Sequence, residues 1–148
     1  MGAPVRPVRA ADVPCLTALL DQLGYPNEPD AVARRLASIL EAPAKQILVA
    51  VPDDDSRIDG YISVERRLPL EQDELVEITG LVVDSAVRRS GVGRTLVNAA
   101  EQWALRQGLR TVVVRSNVVR PESHPFYEGI GYERKKTSHI YRKELRPG

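Results

Sequence analysis

The chain has one cysteine, one methionine, one tryptophan and one phenylalanine in 148 residues. A lone Cys15 excludes an internal disulfide, so a reducing, cytoplasmic setting is the expectation. Nothing beside Cys15 would activate its thiol, and packing as a small hydrophobe is its default role. No apolar run reaches membrane-span length, so no membrane partner is expected. Residues 1–10 hold no apolar core of a signal peptide. Gly2 is followed by Arg6 where myristoylation prefers Ser or Thr. Charge of one sign is also missing: the net charge of +1 gives no reason to expect nucleic acid as a partner. Three consecutive aspartates, Asp53 to Asp55, lack the spacing and distal glutamate of a calcium loop and read as a turn; no metal is expected.

Hydrophobic residues make up 43% and charged residues 28%, the balance of one folded domain spanning 1–148. Its organising stretch is 75–107. Leu75-Val76-Glu77-Ile78-Thr79-Gly80-Leu81-Val82-Val83 is β-branched and reads as a buried strand. Val92, Leu96, Ala99, Ala100 and Trp103 recur at helical spacing, and Gly108 supplies a stop. Between them lies Arg88-Arg89-Ser90-Gly91-Val92-Gly93-Arg94. A strand, a glycine turn and a helix start form an anion site, because the first helical N–H groups lack partners and the helix dipole favours negative charge there. Glycines at 91 and 93 let a ligand approach the main chain.

Arg88-x-x-Gly91-x-Gly93 resembles the Q/R-x-x-G-x-G/A acetyl-CoA signature of the GNAT family of N-acetyltransferases. Asn117 and Phe126-Tyr127-Glu128-Gly129-Ile130-Gly131-Tyr132 are similar to later family segments. The resemblance covers the C-terminal half by motif and the N-terminal half by element order. It implies an α/β (α+β) fold: a mixed, mostly antiparallel sheet with helices on both faces and a strand splay at the acetyl-CoA site. It also implies direct transfer of acetyl from acetyl-CoA to a primary amine.

By that resemblance, main-chain N–H groups over Arg89–Arg94 (Ser90, Gly91, Val92 and Gly93 between them) hold the pyrophosphate, and Arg88, Arg89 and Arg94 add charge. Leu81, Val82 and Val83 bind pantetheine through main-chain groups, with the N–H of Leu81 on the thioester carbonyl. Asn117 bonds the pantetheine arm or caps a strand end. Tyr127 is the general acid toward the thiolate, or packs on the cofactor. Glu77 interrupts an apolar run and is the candidate base; a strand-end carboxylate, or a water chain as base, is the alternative. His124 assists proton movement or bonds at a helix entry.

Along the chain the expected elements are strands at 5–9, 46–51, 57–65, 75–84, 111–116, 133–136 and 138–145. Helices are expected at 10–23, 30–41, 92–107 and 125–129. Five acids lie between Leu68 and Val87, and Asp21, Glu28 and Asp30 lie in or beside an early loop. Together they suggest an acidic cleft for a small cationic amine, or a solvated face. A homodimer is a further partner reading. A dinucleotide-binding fold fails because Leu96 stands where a third glycine belongs. A non-catalytic acyl-CoA sensor and a protein or peptide N-acetyltransferase stay open.

Overall fold

The computed structural model describes residues 4–88, 90–115 and 123–147, with only the backbone of Ser123 and His124. Arg89 and Asn117 lie outside the described residues. The chain divides into two compact units, one ending at Arg115 and one beginning at Ser116.

The first unit holds strands β1 (Val5–Pro7), β2 (Lys45–Ala50), β3 (Gly60–Arg67), β4 (Leu75–Val83) and β5 (Val112–Val114). Its helices are α1 (Val13–Leu23), α2 (Pro29–Leu40) and α3 (Val92–Arg106). The five strands form one sheet in chain order. The first three pairings are antiparallel and β4–β5 is parallel. A parallel pair needs a crossover, and α3 supplies it.

The strand alternation sends side chains to two faces. On one face Ile47, Val49 and Val82 join Leu16 and Leu19 of α1 and Val32 and Leu36 of α2 in a buried cluster. Pro14 in the first turn of α1 and Pro29 at the start of α2 suit positions with no helical acceptor. On the other face α3 buries Val92, Leu96, Val97, Ala100, Trp103 and Ala104. Gly60 brings α3 close to the sheet: a Cβ there would lie 2.7 Å from the Val82 carbonyl oxygen and 3.2 Å from Leu96 Cδ1.

Three expectations are corrected. Residues 10–12 form a 3-10 turn before α1 rather than its first turn. Cys15 is exposed rather than packed, because the buried stripe of α1 runs through Leu16 and Leu19. Residues 133–147, expected to give two strands, form none, and Ile140, Tyr141 and Leu145 are exposed. Alternating β-branched and aromatic residues favour a strand only where a neighbouring ladder accepts their N–H groups.

The aspartate tract is structural. Asp55, at φ 54°, accepts from Arg6 at 3.1 Å and from Arg9 at 3.3 Å. Arg6 also forks onto both oxygens of Asp12 at 2.9 Å, and the Arg9 amide donates to Asp12 at 2.7 Å. Hydrogen bonds from Arg6 hold the Asp12 carboxyl below its ordinary value, against the opposing effect of burial. A depressed carboxyl stabilises the fold above its unfolded value, near pH 4, and that contribution is lost as pH falls through the folded value. Asp12→Ala removes the forked partner of Arg6, leaves Asp55 as its remaining carboxylate, and is expected to destabilise the protein by roughly 3 kcal/mol at neutral pH. Chemical denaturation at pH 7 and pH 3 checks this: the gap between variant and wild type should narrow in acid.

Candidate active site

β4 carries the centre of the site, and its irregularity shapes it. The β3–β4 register pairs Ser63 with Gly80 and Val64 with Ile78, so Thr79 is an extra residue, a β-bulge. Thr79 Oγ1 donates to the Ser63 side chain at 2.9 Å. The β5 ladder covers only Val76, Glu77 and Ile78. Beyond Ile78, β4 continues to Val83 with no partner on its β5 side among the described residues.

The hydrogen-bond alternation then assigns direction to each main-chain group. The Asp84 N–H donates to Asp59 on the β3 side at 2.8 Å, and the Val76 N–H donates to Thr111 on the β5 side at 3.0 Å. Alternating back from Asp84 turns Val83 and Leu81 toward the open side and Val82 toward β3. Among the described residues, Leu81 and Val83 therefore have no ladder partner for their N–H and C=O groups. Val82 turns its main chain to the β3 ladder and its side chain to the core.

After β4, Asp84 accepts from the Ala86 amide at 2.9 Å and opens a 3-10 turn, Ser85–Val87. Gln22 of α1 accepts from the Ser85 amide at 2.9 Å and fixes this turn to the core. Ser90 bonds back to the Val87 carbonyl through both its amide and its hydroxyl. Gly91 caps α3 at φ 89°, a conformation that glycine adopts without strain. The Thr95 N–H bonds Gly91 O at 3.0 Å, which leaves the N–H groups of Val92, Gly93 and Arg94 without helical acceptors. A Cβ on Gly91 would meet nothing within 4 Å, so the space above the turn is open. Arg88 and Arg94 are exposed beside it. Open N–H groups, an open approach and two cations fit a pyrophosphate.

Glu77 is held rather than isolated. Its Oε1 accepts from Arg67 Nη1 at 2.7 Å, and Arg115 Nε lies 3.5 Å away. Its side chain keeps only 12% of its exposure. Glu65, its register partner, pairs with Lys45 at 3.2 Å. Glu74 is likewise engaged, by Arg66 at 3.0 Å. Two of the five acids in the 68–87 stretch are therefore compensated from β3, and the stretch is less acidic than its sequence suggests. Glu71 and Asp73 are exposed, and no ion pair engages them among the described residues. Tyr61 was not foreseen: its ring comes within 3.9 Å of the Cβ position of Gly80, and burial pushes its phenol up.

Tyr127 lies in the second unit, on helix α4 (Ser123–Gly129). The Gly131 N–H bonds Glu128 O at 3.2 Å and the Tyr132 N–H bonds Tyr127 O at 2.9 Å, with Gly131 at φ 98°. That pair is a Schellman cap, which brings the residue after the glycine against the last helical turn. Tyr132 accordingly meets Tyr127 edge to face at 6.0 Å, and Phe126 does so at 5.1 Å. The run from Phe126 to Tyr132 is thus a short helix with its stop signal. Burial pushes the Tyr127 phenol above its ordinary value.

Comparison with known proteins supplies the context for this geometry. Residues 13–132 match the Acetyltransferase (GNAT) family. The chain is 30% identical over 100 residues to probable N-acetyltransferase 14 of Xenopus tropicalis, covering 68% of this chain and 47% of that protein. It is 31% identical over 80 residues to the uncharacterized N-acetyltransferase YhdJ of Bacillus subtilis, covering 53% of this chain and 55% of that one. The chain thus spans about half the length of these relatives. Among solved structures, the aminoglycoside N-acetyltransferase AAC(6')-Iy in complex with CoA superposes with a TM-score of 0.85 at 20% identity, covering 98% of each chain.

Proposed function

The chain belongs to the GNAT family of acetyltransferases, and on that premise we propose that it moves the acetyl group of acetyl-CoA to a primary amine of a small, cationic molecule. The observation that carries the reading is the open start of α3 beside the unpaired side of β4. One end takes a pyrophosphate and the other offers free main-chain groups to an acylated arm.

In this reading the N–H groups of Val92, Gly93 and Arg94 bind the diphosphate, helped by Arg88 and Arg94 and, outside the described residues, by Arg89. Leu81 and Val83 bond the pantetheine arm through their open N–H and C=O groups. The Leu81 N–H donates to the thioester oxygen as it gains negative charge. Asn117 bonds the arm farther along. Once deprotonated, the amine nitrogen attacks the carbonyl carbon, the C–N bond forms, the C–S bond breaks, and the nitrogen gives up its second proton to solvent. Glu77 takes the ammonium proton, directly or through a water, at Oε2; Arg67 and Arg115 occupy Oε1. Tyr127 gives its proton to the departing thiolate, which leaves as the free thiol of CoA.

The cationic acceptor is supported by the exposed acids Glu71 and Asp73 in the loop that enters β4. It is supported also by the fold shared with an aminoglycoside N-acetyltransferase.

The test is thiol release from acetyl-CoA across a panel of amines, at low and high salt. Cationic amines should react best, and salt should raise their KM by screening. Equal rates with neutral or acidic amines would reject the cationic acceptor; no thiol release with any amine would reject the transferase reading. Glu77→Gln is expected to lower kcat roughly 10²-fold or more with CoA affinity retained. Unchanged turnover in that variant would assign the base to an ordered water.

A further inference from the structure

A cleft of about 310 Å³ opens on the α3 face of the sheet, near the β1 edge. It lies away from the site described above: Trp103 is about 16 Å along α3 from the helix start, at roughly 1.5 Å per residue. Its helix wall is the stripe Ala99, Gln102, Trp103 and Arg106, spaced to share one face. Its sheet wall includes Pro7, Gln46 and Leu48, which the register places on the same face.

The walls differ in chemistry. Trp103 and Leu48 are buried and give an apolar floor. Gln46 accepts from the Ile47 amide through Oε1 at 2.9 Å, which leaves its NH₂ group to donate. Arg106 is exposed, and among the described residues no carboxylate pairs with it. Arg6 also borders the cleft, but its guanidinium is engaged by Asp12 and Asp55. Among the described residues no acid lines the space. The rim is therefore a single uncompensated cation with amide donors beside it, over an apolar and aromatic base. An apolar cavity of about 150 Å³ accepts a benzene ring, so this volume holds a ring with a short acidic arm.

We propose that the cleft is an accessory binding site for a small aromatic carboxylate. The ring lies against Trp103, Leu48 and Ala99, and the carboxylate accepts from Arg106 and the Gln46 amide.

Trp103 is the only tryptophan of the chain, so fluorescence excited selectively at tryptophan, beyond the absorption of the five tyrosines, reports on the floor of this cleft. The full chain is titrated with benzoate, with acetate and benzyl alcohol as the charge-only and ring-only controls. Benzoate should give a saturable change, and each control should need roughly tenfold more ligand. Arg106→Gln removes the exposed cation and should weaken benzoate roughly tenfold or more. Ala99→Phe fills the cleft from the helix side and should abolish the response. CoA binding at the far end of α3 shows that each variant is folded. The proposal is overturned if benzoate gives no saturable change, or if both folded variants bind it as wild type does. It is overturned too if Arg106→Gln alters only the melting temperature, because the arginine then serves the helix C-terminus.

Discussion

Gly91→Val is expected to lower CoA affinity by about a hundredfold or more, measured by calorimetry on folded protein. Gly91 stands at φ 89° as the cap of α3, and a β-branched residue held there is strained by about 1–3 kcal/mol. The protein itself leaves room, since a Cβ on Gly91 meets nothing within 4 Å. Two effects are therefore separable. Strain lowers the melting temperature, whereas a side chain in the phosphate's place lowers affinity. Gly93→Val isolates the second effect, because Gly93 lies inside α3, where valine adopts helical dihedrals at little cost. Both variants should lose CoA, and Gly91→Val alone should lose stability as well. Undiminished CoA affinity in folded Gly93→Val would remove the pyrophosphate from this turn.

The residues that build this turn are close in sequence, which is why it is legible there. A strand, a glycine pair and an amphipathic helix announce themselves within 75–107, and the structure places β4 and α3 within that stretch. The surroundings of Glu77 are different in kind. Its partners Arg67 and Arg115 come from β3 and from the end of β5. Which residues face it depends on register, and Thr79 shifts that register by one. A bulge leaves no compositional mark beyond the neighbouring Gly80, so the ion pairs stay hidden until the strands are paired. The same holds for Glu74 with Arg66, and for Asp55 with Arg6, residues 49 positions apart. The acidic stretch read as one patch in sequence because its counter-charges belong to other elements.

The residues after Tyr132 show the opposite failure. Their alternation resembles strands, yet a strand is a pairing rather than a local preference, and 133–147 show no ladder. Val82 makes a related point at one residue. In the run Leu81-Val82-Val83 the three main chains look equivalent in sequence, and pairing turns the middle one to the β3 ladder.

Tyr127→Phe is expected to lower kcat by roughly 10²–10⁴-fold while CoA binds as before. The substitution removes one oxygen and keeps the ring. The edge-to-face contacts with Phe126 and Tyr132 need only the ring, and the cap bond from the Tyr132 amide needs only the carbonyl of residue 127. The helix and its stop should therefore survive, and a changed melting temperature is not expected. The phenol itself is suited to donate. Burial pushes it above the ordinary value of 10.0, so it keeps its proton throughout the neutral range. A thiolate leaving group of ordinary basicity, near pKa 8.5, receives a proton less readily from water than from a donor already aligned with it. If Tyr127 is that donor, an alkaline limb in wild-type kcat belongs above pH 10, and Tyr127→Phe removes it along with most of the rate. The measurement is steady-state thiol release from about pH 6 to about pH 11, at saturating amine, for wild type and variant. Wild-type turnover in the variant would leave Tyr127 a packing residue of α4 and assign the proton to solvent.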